Sequence, residues 1–92
     1  MKLIFCPECL DIRKLGFEKT HCKCKKSWGN YIDDLNAVIG GKAIPLGFSN
    51  RSFANALRED EKNSWRERVM GERFEAFIIP MPCPTVKRES DI

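Results

Sequence analysis

Four of the five cysteines in this 92-residue chain are spaced for chemistry: Cys6-x2-Cys9, twelve intervening residues, then Cys22-x-Cys24. Two close pairs on separate arms offer four soft sulfur donors. A two-residue gap lets the chain turn so that both sulfurs of the first pair face one point while backbone amides donate to them. A second pair across a hairpin then completes the tetrahedron that Zn²⁺ takes. In the Cys-x-Cys pair, residues i and i+2 of an extended segment place their side chains on one face. Four thiolates make a closed site, so the zinc expected here is structural and leaves no position at which to activate water. His21, the single histidine, adjoins Cys22 as an alternative ligand, its other reading being a solvated loop residue. Cys83, between two prolines and 59 residues past Cys24, reads as a small buried hydrophobe.

Reduced free thiols and a pair of disulfides compete with the metal reading. Paired spacing favours metal, and so does chain length, because a small fold gains on the order of 10 kcal/mol from a structural zinc. A redox dithiol at Cys6-Pro7-Glu8-Cys9 is the remaining option, but that motif normally opens a helix within a thioredoxin-like fold. Residues 3–32 resemble a zinc ribbon, on the strength of the Cys6-Pro7-Glu8-Cys9 knuckle and the second pair. Two departures stand out: ribbons more often have two residues between both cysteines of each pair, and often a glycine after the knuckle where Leu10 and Lys25 stand here. By type, the chain resembles small zinc-ribbon proteins of bacteria and their phages.

Three further groups are candidates for binding. Lys14, Lys19, Lys23, Lys25 and Lys26 alternate with Phe17, Trp28 and Tyr31, and positive charge beside rings is the combination that holds single-stranded nucleic acid. From these, Lys14, Lys23, Lys25, Lys26 and Trp28 are the expected nucleic-acid contacts. Equally, the lysines offset thiolate charge and the rings roof a small core. Ser49, Asn50, Arg51 and Ser52 open a helix, where free amides, the helix dipole and a guanidinium favour a phosphate; the plainer reading is a capped helix. Trp65, with Phe74, Phe77 and Ile79, is an apolar anchor for a partner protein if it is not core.

The elements that position these residues follow from periodicity. Leu3–Phe5 reads as a strand entering the knuckle, Ile12–Leu15 as its exit, Glu18–Cys24 and Trp28–Ile32 as short strands. Ala37-Val38-Ile39, Gly40-Gly41, Lys42-Ala43-Ile44 reads as a two-glycine hairpin, with Pro45 confining the second strand to an edge or an early end. Phe53, Ala54, Ala56 and Leu57 form the apolar stripe of a helix over about 51–60. The acids Glu59-Asp60-Glu61 disfavour its continuation, since the dipole is negative at that end. Ser64-Trp65-Arg66-Glu67 fits a capping box for a short second helix that stops at Gly71. Arg73–Ile79 alternates as a largely buried strand, and Thr85-Val86-Lys87 as a last brief one. The fold class expected is α+β: a small zinc-ribbon head continued by an antiparallel sheet with one main helix.

Length fits one domain, 1–92, divided into the head (1–32), a strand-helix-strand body (33–89) and a frayed terminus (90–92). The net charge of +3 is concentrated N-terminally, with +4 over 1–30, −1 over 31–60 and 0 over 61–92. Zinc bound to four thiolates lowers the net charge to +1. The apolar run at Leu3-Ile4-Phe5 is too short for a signal peptide and no run approaches a membrane span, which with the thiols implies a cytoplasmic protein. No glycine-rich phosphate loop or Gly-x-Ser-x-Gly occurs, and a lone histidine forms no acid-base pair, so no enzyme is expected. Two roles remain: a zinc-binding module for nucleic acid or a phosphorylated small molecule, or a protein-interaction module such as an adaptor or a phage-encoded inhibitor of a host enzyme.

Overall fold

The computed structural model describes residues 1–62 and 71–89. Strands β1 (Lys2–Phe5), β2 (Ile12–Lys14), β3 (Thr20–His21), β4 (Ser27–Tyr31), β5 (Ala37–Gly41) and β6 (Ile44–Phe48) precede helix α1 (Asn50–Lys62). Strands β7 (Ala76–Ile78) and β8 (Val86–Arg88) follow it. They form two four-stranded sheets, ordered β2-β1-β6-β7 and β3-β4-β5-β8. All pairings are antiparallel except β5 with β8, which is parallel. The α+β class with one main helix holds among the described residues, and none of their helices is long and apolar enough to cross a membrane.

A core of Ile4, Leu15, Ala37, Ile39, Ala43, Ile79 and Val86 joins the two sheets. It is built by alternation: Ser27, Gly29 and Tyr31 of β4 point toward it or toward the cysteines, while Trp28 lies on the other face of the strand. Tyr31 and the half-buried Cys83 pack against its margin.

The two-glycine hairpin does not form. β5 and β6 follow one another in sequence but lie in different sheets, β5 beside β4 and β6 beside β1. Gly41, at φ 65°, turns the chain, Lys42 donates to the Lys26 carbonyl at 3.0 Å, and the next strand crosses to the other sheet. Non-local pairing wins because β4 offers β5 a five-residue register, Ser27↔Gly41 to Tyr31↔Ala37. Gly40 is small for a different reason, since a Cβ there would lie 2.1 Å from the Trp28 Nε1 that covers it.

Pro45 is likewise not on an edge: β6 sits between β1 and β7. It is accommodated near the start of its strand, where the Ile79 amide donates to its carbonyl at 3.0 Å and β7 has already ended. The segment expected as a buried strand over 73–79 is strand only at Ala76–Ile78, and all three residues are exposed. Its rings lie outside the core, Phe74 against Phe48 and Phe53 and Phe77 over Gly47, and only Ile79 enters the core. The helix continues through Glu59-Asp60-Glu61 to Lys62, where a Lys62–Glu59 pair at 3.5 Å lies one turn apart. The short helix around Ser64 and Trp65 lies outside the described residues. Glu89 is held in place, its carboxylate accepting the Trp28 indole N–H at 2.5 Å and pairing with Lys19 at 3.7 Å.

Candidate metal centre

Cys6 follows β1 and Cys9 lies in the turn toward β2, which closes when the Leu10 amide donates to the Cys6 carbonyl at 2.8 Å and the Cys6 amide to the Asp11 carbonyl at 2.9 Å. Cys22 follows β3 and Cys24 precedes β4. Here the Lys25 amide donates to the Cys22 carbonyl at 3.0 Å and the Cys22 amide to Ser27 at 2.9 Å. The second pair is therefore held by a tight turn and not by an extended segment: in one residue less than the first knuckle, the chain bends enough to bring both sulfurs round. Leu10 and Lys25, the residues after each pair, adopt left-handed φ values of 61° and 65°, the conformation that explains why glycine is usual at such positions.

The four sulfurs lie within 4.8 Å of one another. Two of the separations are 3.7 Å (Cys6 to Cys24) and 3.6 Å (Cys22 to Cys24), close to the roughly 3.8 Å edge of a tetrahedron with Zn–S bonds near 2.3 Å. Cys6 and Cys22 are buried, Cys9 is half-buried and Cys24 exposed. His21 is outside the cluster; it is exposed on β3 with its ring 6.0 Å from that of Trp28. Cys83 is also outside it, with its sulfur 3.5 Å from the Thr85 hydroxyl.

Protonation follows from crowding. The Ser27 hydroxyl beside it pulls the Cys6 thiol down to about 6, helped by the Cys9 and Glu8 amides and opposed by burial. Cys24 is pushed up to about 12: the Lys26 amide pulls it down, but burial and the other three thiols outweigh that pull. The first proton leaves readily and the last is held, as expected of sulfurs that cannot all carry charge together without a cation.

Two charged residues that the spacing of the cysteines did not single out hold the knuckles, Asp11 by joining them and Glu8 by anchoring the first. Asp11 accepts from the Arg13 side chain at 2.7 Å and from the Lys23 amide at 2.9 Å, so one carboxylate spans both knuckles. The Arg13 guanidinium holds that carboxyl below its usual range. Glu8 pairs with Lys42, which fixes the first knuckle to the β5–β6 corner. The sequence signal for Asp11 was its place two residues past a cysteine pair and two before a base.

The other predicted contacts are scattered. Lys14, Lys23, Lys25 and Lys26 are exposed and make no ion pair among the described residues. Trp28 is engaged on several sides, by Gly40, by Lys19 at 5.7 Å from its ring and by Glu89 at its N–H. At the helix start, Ser49 caps α1 by accepting the Ser52 amide at 3.2 Å, and the Phe53 amide bonds the Ser49 carbonyl. The Ser52 hydroxyl accepts from the Glu75 amide at 2.8 Å, and Asn50 takes the chain's terminal amine at 3.2 Å. Arg51 faces a groove of about 450 Å³ with Arg73, shared with Glu59, Glu72 and Glu75.

Comparison with protein-family models, with curated proteins and with solved structures finds no match. What the geometry defines is a small α+β protein with a four-cysteine cluster at metal-binding distance.

Proposed function

We propose that the chain is a zinc-stapled binding module with no catalytic chemistry of its own, and that its partner is a protein engaged along the outer strand β7. Zinc is supported by the donor set, since four sulfurs at tetrahedral separation suit it and fill its coordination shell. No ligand position is then left for water. The protein partner is carried by one observation: Phe77 (52% exposed) and Ile78 (69% exposed) stand on opposite faces of a strand that has a neighbour on one side only among the described residues. Such an edge accepts an extended apolar segment as an added strand.

Nucleic acid or a phosphorylated small molecule is the second reading, favoured by Lys14, Lys23, Lys25 and Lys26, which make no ion pair among the described residues. It is weakened by the engaged Trp28, by the capped helix start, and by three carboxylates around Arg51.

Elemental analysis should find one zinc per chain, lost in a Cys6→Ser, Cys9→Ser double variant. A random-peptide display library panned against the zinc-loaded protein should yield extended apolar peptides whose binding falls at least tenfold with Ile78→Lys and is unchanged by Lys25→Ala with Lys26→Ala. Tight binding of a mixed-sequence oligonucleotide, falling steeply between 50 and 200 mM salt and abolished in the lysine variant, would transfer the function to nucleic acid.

A further inference from the structure

Ser27 opens β4, opposite Gly41 of β5, and its side chain is fully enclosed (0% exposed). Its hydroxyl makes no hydrogen bond of ordinary geometry among the described residues, yet Ser27 stands at the cysteine cluster, its carbonyl accepting the Cys22 amide at 2.9 Å and its hydroxyl acting on the Cys6 thiol. An enclosed hydroxyl without a partner is costly, because the bond it made to water is not replaced, so a small core should not keep one without use. Cys6 is also enclosed, and it comes from the other hairpin. A thiolate there has lone pairs to spare beyond the one given to a metal.

We propose that Ser27 is a positioning residue of the metal centre: its O–H donates to the Cys6 sulfur once that sulfur is a metal-bound thiolate. The bond joins β4 to the end of β1 across the two sheets and withdraws charge from one of the four sulfurs. It also fixes the direction of the Cys6 lone pair toward the ion. Outer groups that orient a ligand are commonly worth 10- to 100-fold in metal affinity. The inference rests on the four thiols holding zinc as proposed above, and the two are separable by experiment.

The probe is Co²⁺ bound to the full-length protein, read by its sulfur-to-metal charge-transfer band, together with zinc competition against a chromophoric chelator. Wild type should show a tetrahedral thiolate spectrum. Ser27→Ala should bind cobalt with the same coordination number, move the charge-transfer band to lower energy because one sulfur is now a stronger donor, and weaken zinc at least tenfold. Ser27→Thr, which keeps the hydroxyl, should restore the band position. If Ser27→Ala binds zinc as well as wild type with an unmoved band, the hydroxyl is merely an orphan and the inference is overturned while the zinc reading stands. Wild-type protein that gives no thiolate spectrum overturns both. A variant that loses the cobalt spectrum altogether, with Ser27→Thr failing equally, makes Ser27 a packing residue and overturns the proposed hydrogen bond.

Discussion

Leu10 and Lys25 place side chains where the backbone is left-handed, a conformation that costs an L-residue about 1–2 kcal/mol. Both are exposed, Leu10 by 70%, so truncation loses little packing. Glycine is freer in the unfolded chain, which takes back about 0.5–1 kcal/mol. The balance favours substitution: Leu10→Gly should raise the melting temperature of the zinc-loaded protein by a few degrees, and a fall would mean that the Leu10 side chain has a contact it needs. Asp11 is the opposite case, because its carboxylate holds two knuckles at once. Exposure of the Arg13–Asp11 pair to solvent keeps its worth small. Asp11→Asn should therefore speed zinc transfer to a chelator by roughly two- to fivefold. The Asp11 pKa is depressed, so its contribution is fully present above the ordinary carboxylate range and is lost only as pH falls through the lowered value. The ratio of the two rates should thus be flat from pH 8 to 5.5, and a ratio that changes there would assign the effect to another group.

At the scale of elements, α1 is tied on by rings. Phe74 meets Phe53 at 4.7 Å and Phe48 at 5.3 Å between ring centres, while Ala56 is the helix's buried residue. Aromatic pairs of this kind add about 0.5–1.5 kcal/mol each beyond area burial. Phe74→Ala should hasten amide exchange throughout α1 and leave zinc content unchanged; simultaneous loss of zinc would make helix and head one cooperative unit. The helix was legible from Ser49 and the stripe at Phe53, Ala56 and Leu57, because capping and 3.6-residue periodicity are local signals. The four cysteines were legible for the same reason. Gly40-Gly41 misled because a hairpin and a corner between sheets use the same residues, and only the partners β4 and β1 decide between them. Arg73–Ile79 misled because alternation of apolar residues does not reveal that a strand lies outermost. Ser27 and Gly29 did leave a trace, two small residues at alternate inward positions of β4, which marks a close approach from the facing element.

At the scale of the molecule, the Cα radius of gyration is 15.4 Å, against about 12 Å for a compact chain of this length. The extents of 48 × 26 × 22 Å describe an elongated body with little interior. Five fully enclosed side chains are the largest: Ile4, Ile39, Val86, Cys6 and Ser27. Two of them, Cys6 and Ser27, lie at the cysteine cluster and are not apolar filling, so the apolar core alone is thin. A structural zinc contributes on the order of 10 kcal/mol in finger peptides, comparable with the whole stability of a small domain, about 5–15 kcal/mol. Removing the ion also leaves four sulfurs whose last proton is hard to remove, with Cys24 pushed up to about 12, so they reprotonate and no longer draw the knuckles together. Chelation with verified metal loss should abolish the cooperative thermal transition or lower its midpoint by more than about 10 °C, and zinc added back at neutral pH should restore it. Melting curves that coincide with and without the metal would mean that the thin core suffices by itself, and that the cysteine cluster serves something other than the stability of the fold.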